Sequence, residues 1–156
     1  MLFLSVNDRQ PGETIDLTSD TQRKLNVSIE ACWNQPIGAV EIIANGKIIK
    51  SLEPEGNRKK LSRTFGWIPQ QSGWIAARVF GEKKIPIRFA HTSPIYVDMP
   101  SRPFDPSQDA AYFSKWIGQR IDGLDDDTNF TADGQREEVR RQLQQAKAVY
   151  DQMNRQ

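Results

Sequence analysis

The chain has 156 residues, 37% of them hydrophobic and 26% charged, with 21 Lys and Arg against 20 Asp and Glu. A chain of about 150 residues buries roughly 70% of its unfolded surface, so one core can form without covalent staples. A single Cys excludes an internal disulfide framework or a Cys-cluster metal site, and a single His excludes a multi-His metal site built by this chain alone. A net charge of +1 excludes wholesale electrostatic capture of nucleic acid.

The start, Met1 to Arg9, lacks the basic segment of a signal peptide, and Asn7 and Asp8 cut its apolar run short. Nothing in the sequence approaches the roughly 20 apolar residues of a membrane span. Leu2 to Val6 reads as a first strand. Because it begins directly after Met1, the expectation is a piece of a longer polypeptide, with its compartment left open. Thr14 to Leu17 adds a short strand. Leu25, Val27, Ile29, Ala31 and Trp33 then alternate with polar residues and Cys32, the period of a strand with one apolar face. Val40 to Ala44 and Lys47 to Lys50 flank Asn45-Gly46, a pair suited to the positive φ angles of a type I′ hairpin turn. Leu61 to Trp67 and Trp74 to Phe80 are further strands, and Gly81-Glu82-Lys83-Lys84 reads as a turn. Phe89 to Val97 is expected as one last strand, with Pro94 marking an edge position or a bulge. Seven or eight short strands separated by turns predict a mainly β fold, an antiparallel, immunoglobulin-like β-sandwich.

Two C-terminal helices follow. Asp105-Pro106-Ser107-Gln108 combines an N-cap acid, a first-turn Pro and a Gln at the third position, a capping-box arrangement. Phe113, Trp116, Ile117 and Ile121 share one helical face, and Gly123 is placed to end the helix. Thr131 is the predicted cap of a second helix whose Val139, Leu143, Ala146, Tyr150 and Met153 make a two-heptad seam. The expected division is 1–98 for the sandwich and 99–156 for a two-helix extension packed on the sandwich or on a parent domain. Residues 1–97 carry 13 basic and 9 acidic side chains, and residues 98–156 carry 8 and 11. That asymmetry is too small to imply a polyanion partner.

Candidate chemistry is sparse. His91-Thr92-Ser93 brings an imidazole close to hydroxyls, and on a continuous strand His91 and Ser93 would share a face. A nucleophilic site also needs an orienting acid and an oxyanion hole, and no elbow or Gly-rich loop surrounds them. A His and Thr/Ser pair bonding backbone at a kink before Pro94 is the simpler reading. Asp125, Asp127 and Asn129 match the first ligands of an EF-hand loop, but Phe130 replaces the turn Gly and Arg136 the closing Glu. Arg58, Lys59, Lys60 and Arg63 form a basic cluster that reads as a solvated hairpin tip. Four tryptophans, Trp33, Trp67, Trp74 and Trp116, raise a carbohydrate platform, although Trp33 and Trp67 have core parity and Trp116 sits on the apolar helix face. Trp74 shares a strand face with Ala76, Arg78 and Phe80 while Ile75, Ala77 and Val79 occupy the other. Both faces are thus largely apolar, as fits an outer face covered by the helices, and Arg78 needs a carboxylate or carbonyl partner. Asn26-Val27-Ser28 and Asn129-Phe130-Thr131 are glycosylation sequons of consequence only on a eukaryotic secretory route.

Three segments in order carry a family likeness: Val40-Glu41-Ile42-Ile43-Ala44-Asn45-Gly46, Gly73-Trp74-Ile75-Ala76-Ala77-Arg78-Val79, and Ala90-His91-Thr92-Ser93-Pro94-Ile95-Tyr96-Val97. Together they resemble the C-terminal region of CehA/McbA-type metallohydrolases, bacterial proteins whose catalytic part is a PHP (polymerase-and-histidinol-phosphatase) domain. The likeness extends into the helices, where Arg136, Ala146 and Tyr150 match the family's ending. It implies a non-catalytic accessory module, with no catalytic, cofactor or metal residue in this chain and the divalent metals confined to the parent's PHP domain. The implied partner is that catalytic domain on the same polypeptide, with no nucleic acid and no membrane span. Homo-oligomerisation through the last helix is a further expectation. Trp74, Arg78, His91, Thr92, Ser93 and Pro94 are then expected to build a structural seam with the helices or the catalytic domain. Two alternatives stand beside this reading: a carbohydrate- or cell-surface-binding sandwich, and a small hydrolase using His91 and Ser93.

Overall fold

A computed structural model describes residues 1–18, 24–56, 58–82, 88–130 and 132–154, the side chain of Asp133 excepted. Nine strands precede two helices: β1 (Leu2–Val6), β2 (Thr14–Asp16), β3 (Leu25–Cys32), β4 (Ile37–Ala44), β5 (Lys47–Leu52), β6 (Lys60–Trp67), β7 (Gly73–Gly81), β8 (Phe89–His91), β9 (Ile95–Asp98), α1 (Ser107–Asp122) and α2 (Asp133–Met153). The chain divides into two compact units, Met1–Phe104 and Asp105–Gln156.

The first unit is a β-sandwich. A three-stranded sheet of order β1-β3-β6 faces a six-stranded sheet of order β2-β9-β7-β4-β5, in which β8 also pairs with β7. Alternation decides what lies between them. Leu4, Val6, Val27 and Ile29 from the smaller sheet meet Val40, Ile42, Ile75 and Ile95 from the larger, all buried in one core. Trp33, Phe65 and Trp67 pack at its margin, half-buried. The β4–β5 connection is the hairpin read from the sequence, with positive φ at both Asn45 (46°) and Gly46 (78°). Asn45 also reaches sideways: its Oδ1 accepts the Trp74 N–H at 2.8 Å, which anchors the turn to the start of β7. A Cβ on Gly73 would lie 1.9 Å from that oxygen, so the close approach requires glycine.

Two features depart from the strand plan expected from the sequence. The β2–β9 pair runs parallel, with Ile15 opposite Val97. After β1 the chain turns through Asn7 and Asp8, both at positive φ, and crosses from the smaller sheet to the larger. There Gly12 donates to the Pro94 carbonyl at 2.7 Å and Leu17 to that of Asp98 at 2.8 Å, holding the segment alongside β9. The expected strand from Phe89 to Val97 is interrupted. β8 pairs with β7 at residues 78–80 and β9 pairs with it at residues 73–75. Nor is Pro94 on an edge strand, because β9 lies between β2 and β7. The proline sits in the gap, where no ladder hydrogen bond is required of it.

The second unit is a pair of packed helices. Asp105 Oδ1 accepts the Ser107 N–H at 2.9 Å, although the helix begins at Ser107 and no return bond from Gln108 accompanies it among the described contacts. That bond holds the Asp105 carboxyl below its ordinary range. Gly123 ends α1 with φ −81°, closing it without the left-handed turn common at such positions. Thr131, the predicted cap of α2, lies outside the described residues, as do Lys83 and Lys84 of the predicted turn after β7. In α2 the seam positions Val139, Leu143, Ala146 and Tyr150 are half-buried, and Tyr150 stacks on Phe113 of α1. Met153, the last seam position, is exposed. The expected apolar face of α1 splits: Ile117 is buried, while Phe113 and Trp116 keep 42% and 50% of their surface in water. No helix among the described residues is long and apolar enough to cross a membrane.

Candidate functional site

The sequence candidates converge on the outward side of the larger sheet. With Ile75, Ala77 and Val79 committed to the core, the strand period turns Trp74, Ala76, Arg78 and Phe80 outward. Cross-strand register sets Trp74 against Tyr96, Ala76 against Ile43, Arg78 against both Glu41 and His91, and Phe80 against Ala39 and Phe89. Ile48 continues the row beyond Ile43. Tyr96, Ile48 and Phe89 are exposed, and the others in these rows, His91 apart, are half-buried.

One ion pair stands within this apolar surface. Arg78 Nε donates to Glu41 Oε2 at 2.6 Å, and the guanidinium lies 5.1 Å from the Phe80 ring centre. Phe80, Phe89 and His91 extend outward as a short aromatic row, with centroid separations of 6.5 and 6.4 Å.

Thr92 explains how β7 remains paired across the β8–β9 gap. Its N–H donates to the Ala77 carbonyl at 2.9 Å, and its Oγ1 accepts the Ala77 N–H at 3.1 Å. A side-chain hydroxyl thus replaces the missing ladder carbonyl. The same break removes the premise that His91 and Ser93 share a strand face, because β8 ends at His91. His91 Nδ1 donates to the Thr92 carbonyl at 3.2 Å, and no hydrogen bond joins it to Ser93 among the described contacts. Both residues are exposed, and Pro94 is half-buried with its carbonyl taken by Gly12.

The remaining candidates resolve into local structure. Asp127 Oδ1 accepts the backbone and side-chain N–H groups of Asn129, and Asp125 is paired with Arg140 at 2.6 Å. Phe130 and Arg136, the two departures from a calcium loop, meet each other, with the guanidinium 5.4 Å from the ring centre. Among the described residues no group of three His, Cys, Asp or Glu is placed to hold a metal ion. In the basic cluster, Arg58 pairs with Glu82 and Arg63 with Glu55. Trp33, Trp67 and Trp74 are half-buried, whereas Phe3, Phe89 and Tyr96 are the sandwich aromatics most open to water. Sequence reading missed Glu41 and Tyr96, since cross-strand register is what brings them to Arg78 and Trp74.

No family model matches the chain, and no curated protein matches it. Similar solved structures include the fibronectin(III)-like modules of Clostridium thermocellum CbhA, at 15% identity over 61% of this chain and 94% of theirs, with a TM-score of 0.36. The CARDB domain of PF1109 from Pyrococcus furiosus is similar at 14% identity over 62% of this chain and 94% of its own, also with a TM-score of 0.36. A crystal structure of that CARDB domain holds di-metal ions and covers 64% of this chain at the same identity and score.

Proposed function

We propose that this chain is a non-catalytic interaction module with an immunoglobulin-like strand plan, and that the outward face of its larger sheet is a protein-contact surface. The contrast between the two outward faces carries the reading. The smaller sheet presents Ser5, Asn26, Ser28, Glu30, Ser62 and Thr64 outward, a surface made for water despite the exposed Phe3. The larger sheet presents Trp74, Ala76, Phe80, Ile43, Ile48, Phe89 and Tyr96 around the Arg78–Glu41 pair, with Thr14, Asp16, Ser51, His91 and Asp98 as its other outward polar residues. Free-standing sandwiches place polar residues outward, and contiguous apolar patches mark interaction surfaces. The immunoglobulin-like assignment is supported by the small β1-β3-β6 sheet opposite a larger one with β7 at its centre.

The partner assigned to this surface is the catalytic domain of a PHP-type metal-dependent hydrolase on the same polypeptide. Its support is the segment resemblance at Val40–Gly46, Gly73–Val79 and Ala90–Val97, which includes much of the face itself. The test is to isolate the native polypeptide that contains these residues. A longer chain with a His-x-His-rich segment, bound divalent metal and metal-dependent hydrolysis supports the assignment, with isolated residues 1–156 inert. A native product lacking any such domain refutes the parentage. Retention of isolated residues 1–156 on a polysaccharide column, abolished by Tyr96→Ala, would replace the protein partner with a carbohydrate. A hydrolase reading survives only if aryl-ester turnover by residues 1–156 falls in His91→Ala.

A further inference from the structure

The helical unit carries an apolar stripe that the hairpin itself does not use. Among the described residues α2 has no fully buried side chain, and α1 buries only Ala110, Ser114 and Ile117. On one side of the helix pair Ser114 donates to Asp151, and Gly118 lies against Lys147. Phe113 and Trp116 lie on the opposite side, where α2 contributes Val149 and Met153, both exposed. Phe113 is held in place there by its stack on Tyr150.

The order of residues along this stripe identifies its occupant. Asp109, Phe113, Trp116 and Arg120 follow at spacings of four, three and four, the pattern of a helix–helix seam. The pattern reads as its own complement when reversed about the midpoint between Ser114 and Lys115. In a two-fold antiparallel pairing of α1 with a second α1, Phe113 of each copy meets Trp116 of the other. Asp109 of each copy then meets Arg120 of the other. At 1.5 Å per residue the two charged positions lie about 16 Å apart along the axis, so both pairs form together. Neither Asp109 nor Arg120 has an ion-pair partner among the described residues, so both charges are available. An isologous interface needs this kind of self-complementarity.

We propose that α1 is a self-association surface and that its occupant is the α1 of a second copy of this chain. The exposed area is on the required scale. Aromatic side chains offer about 150–250 Å² each, and Tyr112, Phe113 and Trp116 expose 65%, 42% and 50%. With Asp109, Arg120, Val149 and Met153 added, two copies together cover roughly 1,000 Å², the lower end of specific interfaces. Of the α2 seam, Val139, Leu143, Ala146 and Tyr150 are half-buried, Tyr150 stacks on Phe113, and the exposed Met153 joins this stripe. This inference is independent of the sheet-face reading.

The test is sedimentation equilibrium on the full 156-residue chain with two single charge reversals, Asp109→Arg and Arg120→Asp, and with Trp116→Glu. The expected parent behaviour is a reversible dimer with Kd of about 10–100 µM, in keeping with a small interface. Each single reversal, which sets two like-charged pairs face to face, should weaken it by at least about tenfold. An equimolar mixture of the two reversed chains should restore it, since every cross-copy pair is then opposite in charge. Trp116→Glu should be monomeric with unchanged helical circular dichroism. A parent chain that stays monomeric at about 1 mM overturns the proposal. So does a dimer indifferent to either reversal, or one lost in both reversed chains and not regained on mixing.

Discussion

Arg78 on β7 and Glu41 on β4 stand in register on the outward face of the larger sheet, joined at 2.6 Å across 37 residues of sequence. Side-chain exposure is 39% for Arg78 and 19% for Glu41, so the pair is neither a free surface bridge nor a dry one. Surface pairs contribute about 0–1 kcal/mol, and breaking a buried pair costs about 3–5 kcal/mol. Arg78→Ala should fall between these, at about 1–2 kcal/mol, partly through lost packing of the guanidinium on Phe80. In a double-mutant cycle with Glu41→Ala, urea denaturation should give a coupling of about 1 kcal/mol. Strict additivity would show that the pair has no energetic link.

The Asn45–Gly73 contact gives a coupled prediction of a different kind. Gly73→Ala forces a Cβ against Asn45 Oδ1, and overpacking of this sort costs about 1–3 kcal/mol. Asn45→Gly keeps the turn but removes the acceptor for the Trp74 N–H, at a cost of about 1 kcal/mol. The double substitution should cost less than the sum, because the second change vacates the space the first requires. Thermal denaturation of the three variants checks this, and an additive result would locate the strain of Gly73→Ala elsewhere.

Thr92→Val should leave the Ala77 N–H without its acceptor, destabilising the sandwich by about 1–2 kcal/mol. Hydrogen exchange at the Ala77 amide should accelerate selectively. Thr92→Ser keeps the hydroxyl and should retain most of the protection. His91→Ala, by contrast, removes an exposed side chain and should alter stability by less than about 0.5 kcal/mol.

The α1 N-terminus supplies a pH-dependent readout. Hydrogen bonding from Ser107 lowers the Asp105 pKa in the folded chain. The linked stabilisation is therefore present above the ordinary carboxylate range and is lost as pH falls through the lowered folded value. An NMR titration should find the Asp105 carboxyl and the Ser107 amide moving together, at a pH below that of an unstructured Asp. Asp105→Asn should flatten the Ser107 amide curve.

Most strands were legible because one apolar face against a core imposes a two-residue period, and Asn45-Gly46 announced its turn by the φ angles it tolerates. β2 was legible as a strand at Thr14 to Leu17, but its crossing to the larger sheet was not, since three residues carry too little pattern to choose a sheet and the turn uses Asn7 and Asp8 where glycine would be the usual signal. The gap at Thr92 was hidden for another reason: a hydroxyl stands in for a backbone carbonyl, which alternation does not encode. Sequence placed Arg78 on a largely apolar face and required a partner for it, but only register could select Glu41. Helical period put Phe113 and Trp116 beside Ile117 without showing which of them the hairpin covers.

The central claim is that the Trp74–Tyr96 side of the sandwich is covered by a protein partner in the polypeptide to which it belongs. Carbene footprinting read out by mass spectrometry, on the native polypeptide and on isolated residues 1–156, tests it directly. Labelling of Tyr96, Phe89 and Ile48 should fall severalfold in the native polypeptide, while Phe3 on the smaller sheet stays equally reactive in both. Equal labelling of the larger-sheet residues in the two samples would contradict the account.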